Sequence, residues 1–228
     1  MMQYQSVIYY RNRLPQSGQL AYDSLMQQWM KMGQQIHLAD RSAPMKEMAQ
    51  FILLDYPMIF YVDYYRMEYT ISSAGICMGG RYLYSREEAQ RLFKMCEDWG
   101  RSVINRIPDW WDKQRKAQWL QEYLADLVEY DKSSRNAYNL VGVVQDQRAV
   151  CEGISKAYKY LCDLAGLTCI VAIGTLEGQP HAWNKLWLDG RQGFVDVTAA
   201  LNRRHGTRQL FLTPGDLQKH YQWDKKLF

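Results

Sequence analysis

The protein has 228 residues, of which 47% are apolar and 23% are charged, a balance typical of a globular chain with one large or two small domains. The formal net charge of +4 is too small and too dispersed to indicate a nucleic-acid-binding protein. The longest apolar stretch, at 51–61, is interrupted by Asp55 and Pro57 and is too short to cross a bilayer. We therefore expect a globular protein that neither binds nucleic acid nor inserts into a membrane.

The five cysteines include no C-x-x-C pair, so neither a zinc ribbon nor a thioredoxin-type site is predicted. Their odd number, without the spacing of a disulfide scaffold, favours a reducing compartment. The first five residues lack the apolar run of a signal peptide, and we therefore expect a cytoplasmic protein. Cys77, Cys96 and Cys162 are predicted to lie in the core, and Cys169 in a strand.

Residues 1–108 are predicted to be rich in helix. Ser17 is expected to cap a first helix with its apolar residues on one side, and Gly33 to close that helix. A second helix is expected to open at Ser42 and Pro44, because proline is well tolerated at the first helical position. This part of the chain therefore begins with two helices.

A hairpin and a third helix are predicted next. Residues 59–71 are rich in β-branched and aromatic side chains, which indicates a strand. The Ser72–Gly75 segment turns the chain, and residues 76–84 pair back along that strand. Ser85 and Glu88 then form a capping box that introduces a long helix.

The best candidate for a domain boundary is Pro108-Asp109, where a proline and a capping residue start another helix. No repeat, low-complexity segment or Gly/Ser-rich linker interrupts the chain. We therefore predict two domains, a helix-rich region with a hairpin over 1–108 and a second domain over 109–228.

A helix is predicted directly after Cys151, because apolar residues recur at helical spacing until Gly166 supplies a C-terminal stop. A cysteine in the first turn of a helix meets unpaired backbone N–H groups and the positive end of the helix dipole. Both favour the thiolate, which is the nucleophilic form. The alternative is an inert core cysteine, since free cysteines are among the most buried residues.

Two further residues supply what a thiol nucleophile needs. His181 follows Cys151 by 30 residues, and Asp196 follows His181 by 15. Thiol acyl transfer requires a base that takes the proton of the thiol and a carboxylate that orients the base. A lone histidine on a strand is more often structural, but the three residues in this order predict a Cys-His-Asp triad.

The segment after the cysteine helix is predicted to form a sheet. Its elements, in order, are a strand at 168–173, a loop at 174–180, a strand at 181–188, the hairpin signal Asp189-Gly190 and a strand at 193–198. With a two-residue turn, paired residues sum to 379, so His181 and Asp196 become diagonal neighbours on one face. The predicted fold class is α+β, with the cysteine helix packed on an antiparallel sheet.

Each triad residue stands in a longer motif, namely Cys151-Glu152-Gly153, His181-Ala182-Trp183-Asn184 and Val195-Asp196-Val197-Thr198. Together these motifs resemble the transglutaminase-like superfamily, which includes transglutaminases, thiol peptidase-like proteins and peptide N-glycanases. The resemblance covers roughly 110–228 and extends to segments typical of bacterial members. It implies a papain/transglutaminase-like core with these three catalytic residues and no metal or cofactor. Relatives of this kind are often exported.

Donors for the oxyanion of an acyl-transfer reaction are also predicted. The backbone N–H of the nucleophile is one candidate, because it lies at a helix start. Gln145 stands six residues before the nucleophile, the spacing seen in papain-like proteases, and Tyr138 and Gln147 are rival candidates. Trp183 is expected to share the face of the catalytic histidine and to shield it from water.

The predicted function is a cysteine-dependent acyl-transfer enzyme that forms a thioester with amide groups of peptides or proteins, with hydrolysis as the expected outcome. Two alternatives stay open: a protein-glutamine amine transferase that uses the same residues, and a non-catalytic interaction module that retains the triad. The absence of recognisable calcium-loop sequences argues against a calcium-gated crosslinker. A basic cluster is interpreted as a solvated loop, with contact to an acidic substrate as the alternative; it comprises Arg203, Arg204, His205 and Arg208.

Overall fold

The computed structural model of the protein describes residues 6–201 and 214–224. The predicted basic cluster at 203–208 lies outside these residues. The chain divides into two compact units, an N-terminal unit (Ile8–Phe93) and a C-terminal unit (Met1–Val7 with Lys94–Phe228). The division falls inside a long helix, 15 residues before the predicted domain boundary at 108/109, which stays a prediction.

The N-terminal unit combines helices with a small antiparallel sheet whose strands lie in the order β1-β3-β2. Its elements, in chain order, are a 3₁₀ turn at Arg11–Arg13, α1 (Gln16–Met30), β1 (Gln35–Leu38), α2 (Met45–Asp55), a 3₁₀ turn at Tyr64–Arg66, β2 (Tyr69–Ser72) and β3 (Gly75–Gly79). The second predicted helix and the turn of the hairpin are confirmed, since α2 starts after Pro44 and Ser72 pairs with Gly75.

Several predictions for this unit were wrong. Ser17 lies inside α1, which is preceded by Pro15 at its N-cap. Of the strand predicted at 59–71, only the end from Tyr69 is a strand, because the apolar residues at 59–62 are buried without forming a ladder. Burial and β-sheet pairing favour the same residue types, so composition alone did not separate them. Strand β1 was not predicted, and Cys77 is exposed rather than buried.

Helix α3 (Arg86–Ile104) starts as predicted, because the hydroxyl of Ser85 accepts a hydrogen bond from the backbone N–H of Glu88 at 3.1 Å. Helix α4 (Lys113–Leu127) starts after the proline, but its N-cap lies three residues later than the predicted capping residue Asp109. The N-cap is Asp112, whose carboxylate accepts from the backbone N–H of Arg115 at 2.7 Å.

Two short parallel strands precede the cysteine helix. They are β4 (Glu129–Tyr130) and β5 (Arg148–Ala149), with a π-helical turn at Gly142–Asp146 between them. Helix α5 (Cys151–Leu164) follows directly, and Gly166 takes a left-handed conformation (φ 71°) just after it, as its predicted role requires.

A four-stranded antiparallel sheet, ordered β8-β7-β6-β9, packs against α5. The remaining elements are β6 (Thr168–Leu176), β7 (Gln179–Leu188), β8 (Arg191–Val195), α6 (Val197–Leu201), α7 (Pro214–His220) and β9 (Tyr221–Gln222). The predicted register is confirmed, since Asn184 pairs with Val195 and Leu188 with Arg191. The fold is therefore α+β, with the cysteine at the tip of a helix that packs on an antiparallel sheet.

The loop predicted at 174–180 is instead a tight hairpin. β6 and β7 run on to a two-residue turn at Glu177-Gly178, where both residues have positive φ angles of 50° and 76°. The return strand was predicted too long, because β8 ends at Val195 and the chain then enters α6. No helix among residues 6–201 and 214–224 is long and apolar enough to cross a membrane.

Candidate functional site

Cys151 is the first residue of α5 and is partly exposed. The N-cap residue, Val150, is extended and makes no side-chain capping bond. Two residues into the helix, Gly153 packs so closely that an added Cβ would lie 2.4 Å from the carbonyl oxygen of Ala137. The glycine of the Cys-Glu-Gly motif is therefore needed for packing, since a side chain there would push the tip of the helix out of place.

His181 lies near the start of β7, opposite Gly174 of β6, and Asp196 is the residue that links β8 to α6. The Nε2 atom of His181 is 2.7 Å from Oδ2 of Asp196, within hydrogen-bonding distance. The predicted pairing of these two residues is therefore observed, although Asp196 has left the strand ladder.

The side chains of His181 and Cys151 lie within hydrogen-bonding reach of each other. Burial alone would lower the pKa of His181, but hydrogen bonds and charge from Asp196 and Cys151 raise it to about 9. Because Nε2 faces the carboxylate, Nδ1 is the ring nitrogen left for the sulfur. Asp196 and Cys151 therefore both favour the protonated form of the ring.

Asp196 is almost fully buried, with 4% of its surface exposed. Its Oδ1 accepts a hydrogen bond from the backbone N–H of Ala199 at 3.0 Å, so the residue also caps α6. Its Oδ2 accepts from the hydroxyl of Tyr221 at 2.7 Å in addition to facing His181. A buried carboxylate with three donors is held in one orientation, which is what a residue that orients a base requires.

Aromatic rings cover one side of the histidine. Trp183 stacks on His181 with ring centroids 6.1 Å apart and an interplanar angle of 16°, which confirms that the two residues share a face. Trp183 is 1% exposed and packs against Tyr221 and Trp223. Its indole N–H finds no acceptor among the described residues. This wall covers one side of the His181–Asp196 pair, and the shielding role of Trp183 stays a prediction.

The candidate oxyanion donors lie in the segment before the cysteine. Gln145 is exposed in the π-helical turn, and its amide donates to the neighbouring carboxylate of Asp146 at 3.2 Å. Tyr138 is 43% exposed, and its carbonyl accepts from Lys156 of α5 at 3.2 Å. Gln147 is exposed with a positive φ of 52°. Their roles as donors stay predictions.

Two tyrosines at the site were missed as site residues. Burial raises the pKa of Tyr130, and the neighbouring Cys151 raises it further. Tyr130 is brought there by the pairing of β4 with β5, in which it lies opposite Ala149, two residues before the cysteine. Tyr221, by contrast, is 25 residues from its partner Asp196, and no local pattern connects them.

Asn184 faces away from the site. Its amide donates to the backbone carbonyls of Ser155 in α5 and Ile170 in β6, at 2.9 and 3.2 Å. It therefore ties the cysteine helix to the sheet that carries the histidine. No group of three His, Cys, Asp or Glu side chains in the described part of the chain is arranged to hold a metal ion.

Comparison with known proteins is consistent with this arrangement. Residues 105–199 match the protein-family model of the transglutaminase-like superfamily. The match covers less than half of the chain. The match includes all three residues of the proposed triad and ends just before the last residues of α6.

The chain is also similar to the kyphoscoliosis peptidases of Homo sapiens and Mus musculus, with 27% and 26% identity over 100 residues. These matches cover 36% of this chain but only 15% of either relative. A solved structure described as a TGase has a TM-score of 0.43 and 15% identity, covering 67% of this chain and 48% of that chain. At this TM-score, the similarity is no evidence about the activity of this chain.

Proposed function

We propose that the protein is a cysteine-dependent acyl-transfer enzyme that hydrolyses amide groups of peptides or proteins. The observation that supports this most strongly is the position of His181, whose Nε2 lies 2.7 Å from Oδ2 of Asp196 and whose pKa is raised by both Asp196 and Cys151. A cation beside the sulfur favours the thiolate, and the carboxylate fixes the orientation of the ring.

In the proposed reaction, the thiolate of Cys151 attacks the carbonyl carbon of the amide, and the carbonyl oxygen becomes an oxyanion. The C–N bond then breaks, and His181 gives its proton to the leaving amine, which leaves a thioester on Cys151. Water next attacks the thioester while the now neutral His181 takes its proton. The C–S bond then breaks, which releases the carboxylic acid and regenerates the thiolate of Cys151 beside the protonated His181.

The oxyanion needs hydrogen-bond donors, and the backbone N–H of Cys151 supplies one. Tyr130 lies close enough to Cys151 for that residue to raise its pKa, and we propose its hydroxyl as the second donor beside the earlier candidates Gln145 and Tyr138. Loss of one such donor typically lowers kcat by about 10²–10³-fold. We therefore expect Tyr130→Phe to reduce kcat by roughly that factor, measured against the same substrate as the unmodified protein.

The deciding experiment incubates the protein with a peptide and protein library, with and without an excess of a primary amine. New termini or released ammonia without amine uptake mean hydrolysis, whereas incorporation of the amine means transfer to protein glutamine. Cys151→Ala should abolish either product, while Cys77→Ala, which changes an exposed cysteine of the N-terminal unit, should not. If the unmodified protein forms no product, it acts as an interaction module and the proposal is wrong.

Substrate and compartment belong to the same proposal. A partly exposed thiol at the tip of α5 fits a substrate that presents its amide at the surface, such as a peptide or a protein side chain. A reducing compartment, which the odd cysteine count favours, would keep this thiol available for reaction.

A further inference from the structure

Tyr221 contributes a hydrogen bond that the reaction scheme above does not use. Its hydroxyl donates to Oδ2 of Asp196 at 2.7 Å, and the Nε2 of His181 is also 2.7 Å from this same oxygen. Tyr221 is 7% exposed, so the hydrogen bond is made away from water. In such surroundings a hydrogen bond to a carboxylate is stronger than at the surface.

The position of Tyr221 follows from the sheet. Strand β9 pairs with β6 in antiparallel register, with Tyr221 opposite Leu176. The ring of Tyr221 lies 5.1 Å from Trp183 and 6.0 Å from His181, measured between ring centroids. Its ring therefore packs as a core residue, while its hydroxyl alone reaches the carboxylate. The two contributions can be separated by replacing tyrosine with phenylalanine.

We propose that Tyr221 is a positioning residue, whose hydroxyl fixes the carboxylate of Asp196 and shares Oδ2 with the imidazole of His181. The proposal deepens the proposed function and rests on it. Of the three donors to Asp196, the backbone N–H of Ala199 holds the other oxygen, Oδ1. Removing the hydroxyl would therefore leave Oδ2 to the imidazole alone.

The loss of the Tyr221 hydroxyl is expected to raise the pKa of His181. The Tyr221 hydroxyl reduces the negative charge on Oδ2 of Asp196, the oxygen that faces the Nε2–H of His181. Without the hydroxyl, Oδ2 carries more negative charge, and the imidazolium holds its proton more strongly. On the described part of the chain, the titratable groups that face His181 are Cys151 of α5, Asp196 after β8 and Tyr221 of β9. Replacing Tyr221 by phenylalanine changes one of these and leaves the other two in place.

The test compares Tyr221→Phe with Tyr158→Phe. Tyr158 is a fully buried tyrosine of α5 whose hydroxyl donates to the backbone carbonyl of Ala117 at 2.9 Å, so its replacement removes one buried hydrogen bond outside the site. The pKa of His181 is measured by NMR titration of the imidazole, with His181→Ala used for assignment. Thermal unfolding and the pH profile of kcat/KM are recorded for the same variants.

We expect Tyr221→Phe to raise the pKa of His181 by about one unit and to move the alkaline limb of the kcat/KM profile to higher pH by the same amount. Tyr158→Phe should lower the melting temperature to a similar extent without moving either quantity. A pKa in Tyr221→Phe that is unchanged or lower would overturn the proposal and leave Tyr221 with a structural role. The titration needs no substrate, so absence of turnover in the unmodified protein refutes the proposed function and leaves the test of Tyr221 intact.

Discussion

The surroundings of His181 have opposite effects on the pKa of its imidazole. Burial disfavours the cation, whereas the carboxylate of Asp196 and the sulfur of Cys151 favour it, and the balance raises the pKa to about 9. A pKa raised above the usual 6.5 means that the ring stabilises the fold fully below pH 6.5. This stabilisation is lost as the pH rises through about 9.

Asp196→Asn tests this balance. The substitution removes the charge that favours the imidazolium, so the pKa of His181 should fall well below 9 and kcat/KM should drop by about 10³–10⁴-fold. Asparagine caps a helix as well as aspartate does, so α6 should survive and the melting temperature should change little. Unfolding of the variant without any change in the pKa of His181 would mean that Asp196 has a structural role instead.

Cys151 is expected to be the most reactive thiol of the protein. It is partly exposed beside a cationic ring, whereas Cys96, Cys162 and Cys169 are buried. Cys77 is exposed as well, so the experiment is best done in a Cys77→Ser variant.

With limiting iodoacetamide at neutral pH, peptide mass mapping should find the label on Cys151. His181→Ala should slow the labelling at least about tenfold, because the neighbouring cation is gone. Labelling at Cys162 or Cys169 first, or a rate that does not depend on His181, would count against the ion pair.

At the scale of elements, sequence signals predicted the features that depend on residues close together in the chain. Asp189-Gly190 set the register of β7 and β8, and with it the approach of His181 to Asp196. The hairpin at Glu177-Gly178 was missed, because Gly174 and Pro180 made the segment resemble a loop. The contact of Tyr221 with Asp196 depends on a strand paired across the sheet, which the pattern of neither segment predicts.

The packing around Gly174 explains why a glycine that was interpreted as a loop residue lies inside strand β6. A Cβ at this position would lie 2.0 Å from the carbonyl oxygen of Gln222 and 2.9 Å from the ring of Trp183. The glycine therefore allows β9 to approach β6 and does not mark a loop.

Gly174→Ala should destabilise the protein by about 1–3 kcal/mol, because a methyl group there forces β9 or Trp183 to move. The free energy of unfolding is measured by urea denaturation. Gly79→Ala is the matched control: Gly79 is also a strand glycine without positive φ, but a Cβ there meets nothing within 4 Å. Equal stability of the two variants would show that β9 does not pack closely on Gly174.

At the scale of the whole molecule, the compact units and the predicted domains differ in where they divide the chain. The predicted boundary at Pro108 followed a helix start, which is a local signal, whereas the C-terminal unit begins at Lys94, within α3. The second half of α3 packs on α5: Trp99 stacks on Tyr160 at 6.4 Å, and the Tyr160 hydroxyl donates to the carbonyl of Cys96 at 3.2 Å. Neither the composition nor the turn signals of the sequence predict these contacts.

Two fragments distinguish the boundaries, one of residues 94–228 and one of residues 109–228. We expect the shorter fragment to be less stable by roughly 2–5 kcal/mol, because it loses Trp99 and exposes the face of α5 that carries Tyr160. Urea denaturation measures the difference, and iodoacetamide labelling reports whether Cys151 keeps its reactivity. In the full chain, Gly100→Ala provides the matched point change, since a Cβ there would lie 2.6 Å from the side chain of Leu164. If 109–228 is as stable as 94–228 and labels as fast, the boundary after Pro108 is correct and the second half of α3 is dispensable to the site.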